Sequence, residues 1–295
     1  MELNTVKIEI LGTPFNGIVS PPNIENTADG LRQLNLVSLL ESKGCSVINS
    51  GDLIGFQSQE LKDPDTGILD FDIWINLSKC LSESLGEILD RENFPLLLGG
   101  DCRMLIGIIS AFVQRNEEIC LVFLDGHADF HNVETSPTGD PADMELAVLT
   151  GRGPEKITRI ADKYPLLEEK NILVYGIRAW DQIAESNIQV YDYKKIKKKG
   201  IRSVLDQGIE NLPNKKPPVW LHLDVDVLDP KIMPVMFPEP GGLSFEQLHE
   251  FLRHEWITNQ AIGMSIACYH PTLDKEGKAG KKLVSLIADF LSIVI

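Results

Sequence analysis

The chain lacks any CxxC spacing: its five cysteines, Cys45, Cys80, Cys102, Cys120 and Cys268, are odd in number and scattered. That argues against a disulfide framework and leaves most of them as small core residues. No apolar run approaches the roughly 18 residues a membrane span needs. The opening MELNTVKIEILGTPF has no basic segment followed by an apolar stretch, so a cytoplasmic protein with no membrane partner is expected. Basic charge is also short, with 28 Lys and Arg against 43 Asp and Glu for a formal charge of −15. A nucleic-acid partner is disfavoured, because phosphate binding is driven by Lys and Arg releasing counterions. The one basic run, residues 194–199 with Ile196 inside it, reads as a solvated face. Internal repeats, low-complexity segments and Pro/Ser-rich linkers are missing too, so residues 1–295 are expected to form a single domain.

What the chain does have is a repeating alternation of short β-rich runs with longer amphipathic stretches, the pattern of parallel strands joined by helical crossovers. Strands are expected at residues 6–11, 46–48, 96–98, 121–124, 172–175, 219–225 and 262–266. Several are nearly continuous apolar runs, hence covered on both faces, which predicts a three-layer α/β/α fold. Ser244 with Gln247 three positions on forms a capping-box pattern ahead of Leu248, Phe251 and Leu252. Residues 281–294 read as a further amphipathic helix. Two long irregular stretches, 16–27 and 132–143, are the kind of loop that carries function; the second is expected to overhang a site.

The strongest chemical signal is Leu124-Asp125-Gly126-His127-Ala128-Asp129, directly after an apolar strand and so at a strand's carboxyl end, where open α/β sheets bind ligands. In extended geometry Asp125, His127 and Asp129 would share one face. The second is His222-Leu223-Asp224-Val225-Asp226-Val227-Leu228-Asp229-Pro230, which places Asp224 and Asp226 at the end of another central strand. Four carboxylates converging on one point repel strongly unless divalent cations lie among them, so a metal centre is expected.

These D-x-H-x-D and D-x-D-x-x-D-P patterns resemble the arginase-like (ureohydrolase) superfamily of arginases, agmatinases and formiminoglutamases. The likeness runs from Gly12-Thr13-Pro14-Phe15 through Leu98-Gly99-Gly100-Asp101 and Pro240-Gly241-Gly242-Leu243 to Pro271-Thr272-Leu273-Asp274. The resemblance implies a mainly parallel, roughly eight-stranded sheet. It also implies two divalent ions, Mn²⁺ first among them, bridged by a hydroxide that attacks a guanidino or amidine carbon. Asp125 and Asp224 would bridge the ions, with His127, Asp129 and Asp226 completing the two coordination spheres.

Departures from the family pattern bear on the reaction. Its Gly-Gly-Asp-His is here Gly99-Gly100-Asp101-Cys102, so Cys102 is expected as a thiolate ligand, the alternative being a filler beside a depleted site; the substitution is similar to that in a hydroxyarginine-hydrolase branch. The family's guanidinium-binding Glu falls on Cys268 and its proton-shuttle His on Ala142. Asp129, His131 and His270 are the candidates for catalysis, the two histidines for the missing shuttle. Thr138, Asp140 and Asp181 fall where the family contacts the amino-acid end of its substrate. The expected activity is hydrolysis of a C–N bond in a small guanidino, N-hydroxyguanidino or formimino compound. The alternatives are a catalytically silent metal-binding relative and an amide deacetylase of the related fold. A homo-oligomer is left open.

Overall fold

The computed structural model describes residues 6–14 and 27–295. The expected loop at 16–27 therefore lies outside the described residues except for Thr27, as does Phe15 of the Gly-Thr-Pro-Phe stretch. Eight strands form one sheet: β1 (Ile8–Thr13), β2 (Val47–Asp52), β3 (Phe94–Gly99), β4 (Cys120–Leu124), β5 (Ile172–Tyr175), β6 (Gln189–Tyr191), β7 (Val219–Asp224) and β8 (Ala261–Ala267). Their order is β2-β1-β3-β8-β7-β4-β5-β6, with every neighbouring pair parallel. Seven of the eight fall where apolar runs predict them. The eighth, β6, is three residues long at the sheet edge, too short to show a period of its own.

The central strands are apolar on both sides because both sides are packed. In β4, Cys120, Val122 and Leu124 enter one core cluster, while Leu121 and Phe123 enter the other. In β7, Val219, Leu221 and Leu223 face the first and Trp220 the second. This is the period of two of a strand, with hydrophobic residues in both phases. On the first side lie helices Phe245–Leu252 and Lys278–Val294, through Leu248, Phe251, Leu252, Leu283 and Ile287. On the second lie Phe71–Asp90 and Leu105–Gln114, through Trp74, Leu81, Leu105 and Phe112. The Ser244–Gln247 capping box forms as its spacing predicts. The lysine run lies on helix Tyr193–Lys199, with Ile196 buried and Lys197, Lys198 and Lys199 exposed, a solvated face as expected. No helix among the described residues is long and apolar enough to cross a membrane.

A close approach within the sheet ties two of its central strands together. A Cβ at Gly263 would stand 2.2 Å from the Trp220 ring, so only glycine leaves room for the indole to lie across β8. The indole Nε1 then donates to Ser265 Oγ at 2.9 Å. Trp220 thereby links β7 to β8 from within the core.

Candidate metal centre

Sheet order brings the chemistry together. The four central strands β3, β8, β7 and β4 are consecutive neighbours, and each runs out at its carboxyl end into a candidate residue. Leu124 pairs with Leu223, so Asp125 and Asp224 leave the sheet side by side. Asp224 pairs with Ala267, which puts Cys268 next beyond it. Cys102 follows closely on the end of β3.

The two acidic motifs are not extended, contrary to the face-sharing expected for them. β4 stops at Leu124 and β7 at Asp224. Each first aspartate then turns back on its own chain, Asp125 Oδ1 accepting from the His127 amide at 2.7 Å and Asp224 Oδ1 from the Asp226 amide at 2.8 Å. Such Asx turns satisfy one oxygen locally and leave the second for other work. Asp129 reaches the same point through a left-handed backbone with φ 46°, a strained conformation of the kind that clusters at functional sites. Asp226 Oδ1 takes the Gly126 amide at 2.8 Å, linking the two turns. A Cβ on Gly126 would lie 2.8 Å from that oxygen and 2.5 Å from Arg178 Nη2, which is why the motif carries glycine there.

Asp125, Asp129, Asp224 and Asp226 are all buried. Burial, and the Asp226 charge next, push Asp125 up to about 7. Burial raises Asp129 and Asp224 as well, with neighbouring carboxylates adding to it. Asp226 goes the other way: burial opposes its charge, but the hydrogen bond from His127 outweighs it and lowers its pKa. His127 Nδ1 is 2.8 Å from Asp226 Oδ2 and 3.7 Å from Asp125 Oδ1. Burial disfavours its cation, yet those two carboxylates prevail and raise it to about 11. The surrounding carboxylates thus favour a positive charge at this point, from a proton on His127 or from a cation. The donor set fits divalent cations: Asp125, His127 and Asp226 offer ligand atoms mutually within 4.8 Å, as do Cys102, Asp125 and Asp129.

Two thiols face this cluster. Cys102 Sγ lies 3.1 Å from Asp224 Oδ2 and 3.6 Å from Asp125 Oδ2. Cys268, expected from the sequence only as the place of a lost glutamate, forms a third candidate ligand group with Cys102 and Asp224. All five cysteines are free thiols. Behind Cys102 stands His222, its Nε2 3.3 Å from the sulfur and its Nδ1 2.8 Å from Ser265 Oγ. Burial holds His222 neutral, its pKa down to about 3. Sequence reasoning also missed Glu145, fully buried next to Asp129 with neither carboxylate oxygen hydrogen-bonded, both carboxyls raised by burial. As an acid in the first turn of helix Glu145–Leu149 it carries the commonplace signature of a helix start.

A cavity of about 590 Å³ opens over these residues, lined also by Thr138, Asp140, Ala142, Val235, Phe237 and His270. The loop at 132–143 overhangs it as expected. Of the predicted shuttle histidines, only His270 lines the cavity; burial lowers its pKa, and its Nδ1 is 3.0 Å from Thr272 Oγ1. His131 is not among the lining residues; its backbone amide donates to the Asp143 carbonyl at 3.0 Å. Asp181 is also away from the cavity: its two oxygens accept from the amides of Phe130, at 2.6 Å, and Ile183, at 2.9 Å, so its work is to hold the chain after Asp129. Thr138 donates to Asp143 Oδ2 at 3.1 Å.

Asp140 lines the cavity, but its Oδ1 is committed to Arg103 Nη2 at 2.7 Å. The buried Arg103 guanidinium also meets Asp101 Oδ1, through Nε at 2.7 Å, and so pins the overhanging loop to the exit of β3. Removing the cation strands two carboxylates. Arg103→Met is therefore expected to destabilise the fold by about 3–5 kcal/mol in denaturant unfolding, the scale for breaking one partner of a buried pair. A loss below about 1 kcal/mol, the worth of a surface pair, would contradict that role.

A family model described as the arginase family matches residues 6–292. The arginase of Bacillus subtilis (strain 168) is 27% identical over 293 residues, spanning 96% of this chain and 97% of that protein. Among solved structures, an arginase from Bacillus caldovelox superposes with a TM-score of 0.89 at 24% identity, covering 97% of this chain and 98% of that one. The agmatine ureohydrolase of Thermoplasma volcanium does so with a TM-score of 0.69 at 21% identity, covering 98% and 90%. At these identities the two structures carry the fold.

Proposed function

Because this chain belongs to the arginase family, hydrolases of linear amidines, we propose that its substrate is a small guanidino, N-hydroxyguanidino or formimino compound whose C–N bond is cleaved at a pair of divalent ions. The observation that carries this reading is the convergence of four buried aspartates and His127 on one cavity at the ends of neighbouring strands. Asp125, His127 and Asp226 would hold one ion and Cys102, Asp224 and Asp129 the other, with Asp125 and Asp224 shared between them; Mn²⁺ suits the oxygen and nitrogen donors. Bound there, such ions supply an acidified water as nucleophile and polarise the group it attacks.

The chain's own residues supply the rest. The Asn132–Asp143 turn places Thr138 and Asp140 on the cavity wall, where they would meet the polar end of the substrate. His270, with Nδ1 against Thr272, has Nε2 for handing a proton to the leaving nitrogen. Glu145, fully buried beside Asp129, adds a further acidic group behind the cluster. A second reading, a silent metal-binding relative, is favoured by one feature: a neutral thiol at Cys268 in place of a carboxylate. Family membership sets the amide deacetylase aside.

Metal analysis combined with urea and ammonia release from arginine, agmatine, hydroxyarginine and formiminoglutamate tests both readings. About two divalent ions per chain and turnover of at least one compound are expected. A single tightly held ion, unchanged in Asp226→Asn, would remove the two-ion reading. Full metal loading with no turnover would favour the silent relative.

A further inference from the structure

We propose that the two halves of the centre are chemically unlike, and that Cys102, Cys268 and Asp224 form a thiolate half that selects a thiophilic divalent ion such as Zn²⁺. The proposal rests on the metal-centre reading and adds Cys268 as a ligand, His222 as the residue that positions Cys102, and a split in metal preference.

The three ligand atoms lie within 4.8 Å of one another. In a tetrahedral zinc site, with Zn–S near 2.3 Å and Zn–O near 2.0 Å, a sulfur and an oxygen on the same ion stand about 3.5 Å apart. The Cys102 sulfur is 3.1 Å from Asp224 Oδ2 and 3.6 Å from Asp125 Oδ2, on either side of that value. Cys102 also shares a ligand group with Asp125 and Asp129, so Cys268 would add a second sulfur to the ion that those carboxylates face.

The backbone is consistent with a ligand role for Cys268. It leaves β8 with φ 62°, a left-handed conformation that a non-glycine residue adopts at a cost of about 1–3 kcal/mol. Its amide donates to the Gly100 carbonyl at 2.8 Å, clamping it to the loop that delivers Cys102. The strain is thus held at the point where the two thiols meet.

Matching donors to acceptors fixes the direction of the hydrogen-bonded chain behind Cys102. Trp220 Nε1 can only donate, so Ser265 Oγ accepts from it. Ser265 is fully buried, and its remaining partner, His222 Nδ1, is at 2.8 Å. If Nδ1 carried the imidazole proton, the buried serine hydroxyl would have nowhere to donate. With Nδ1 accepting, every group is satisfied, and Nε2–H points at Cys102 Sγ at 3.3 Å. The sulfur accepts from Nε2–H while its own S–H faces Asp224 Oδ2 and Asp125 Oδ2; a metal-bound thiolate would keep the first contact and exchange that proton for the ion. Across the cavity floor, Asp125, His127 and Asp226 present only oxygen and nitrogen. A hard ion such as Mn²⁺ belongs there, and a softer one between the thiols.

The test is X-ray absorption at the zinc edge on the wild-type protein, kept reduced and loaded with one equivalent of Zn²⁺ and an excess of Mn²⁺, with total metal measured on the same sample. About two sulfur scatterers near 2.3 Å are expected. One sulfur would overturn the role of Cys268. None would overturn the thiolate half while leaving a two-ion centre intact, and failure to retain any divalent ion would overturn the centre itself. Cd²⁺ titrations give a second readout: the near-ultraviolet sulfur-to-metal band should fall to about half in Cys268→Ser and in Cys102→Ser, since each removes one of two thiolates. His222→Phe should weaken Cd²⁺ binding roughly 10–100-fold with the band still present, the effect of losing a group that orients a ligand; unchanged affinity would overturn its positioning role.

Discussion

Replacing Asp125 or Asp224 by asparagine is expected to strip both divalent ions from the protein and to lower turnover by at least roughly 10³-fold, the upper scale for deleting a fixed electrostatic element of a site. Each residue stands at the end of one of two paired strands, with Oδ1 locked by an amide and Oδ2 turned toward the cluster. An amide side chain preserves that turn and removes the charge, so the loss would belong to the metal and not to misfolding. Equilibrium dialysis with metal analysis provides the check; a variant that keeps one ion would show that its residue serves a single site.

Removing the metal should also expose a pH dependence whose sign follows from the site. Asp125 is raised to about 7 by burial and the Asp226 charge, so its favourable share of stability is present at acid pH and lost as pH rises through that value. His127, raised to about 11 by the carboxylates in spite of burial, contributes stability that is complete below its unfolded value and is lost on the way up to 11. The two act in the same direction. The melting temperature of the chelated protein should fall from about pH 5 to pH 9, and the gain on adding metal should grow over the same window, because the ion replaces the imidazolium proton. Asp226, lowered by His127, works in the opposite sense only at lower pH.

Free L-arginine is expected to be a poor substrate, with kcat/KM well below the roughly 10⁴ M⁻¹s⁻¹ of an ordinary metabolic enzyme. Its guanidinium calls for a bidentate carboxylate, and Cys268 offers a thiol turned toward Cys102 and Asp224. Asp140 is a poor substitute, since its Oδ1 is committed to Arg103. A less basic N-hydroxyguanidine or formimino group loses less, with His270 nearer to hand than Tyr269, whose hydroxyl is engaged with Asp274 at 3.1 Å. Cys268→Glu should raise arginine turnover by roughly 10-fold or more, the value of restoring one charge-assisted contact, where the new carboxylate faces the substrate, and should instead lower retention of the thiophilic ion where it replaces a ligand sulfur. Efficient arginine cleavage by the wild type would refute this.

The fold and the acidic half of the site were legible because buried parallel strands are continuous apolar runs, and ionisable residues directly after such runs have few structural explanations. Asp125, His127, Asp129, Asp224 and Asp226 announce themselves in that way. Their local geometry did not: alternation along an extended strand places the side chains on one face, whereas Asx turns and a left-handed Asp129 bring them together. Cys268, His222 and Glu145 were harder still. A lone cysteine after an apolar strand looks like core filling, and its relation to Cys102 arises only from the insertion of β8 beside β3. His222 gains meaning from Ser265 on the neighbouring strand β8, where Trp220 of its own strand also donates, a cross-strand pairing that no spacing within either segment encodes. His131 and Asp181 show the converse error, since neighbours in sequence to a site residue can support the chain without facing the cavity.

The place of β8 between β3 and β7 has a consequence for how the molecule comes into being. Without it the sheet separates into β2-β1-β3 and β7-β4-β5-β6, two slabs with Cys102 on one and the aspartates on the other. Closing that gap requires a strand far along the chain to slot between partners distant in sequence, the kind of non-local pairing that makes folding slow. An emerging polypeptide would carry both slabs before it could assemble the cluster. Completion of the centre should accordingly be among the last events of maturation, and a trapped intermediate should hold native-like helices and the aspartates of β4 and β7 without the thiols of Cys102 and Cys268 beside them.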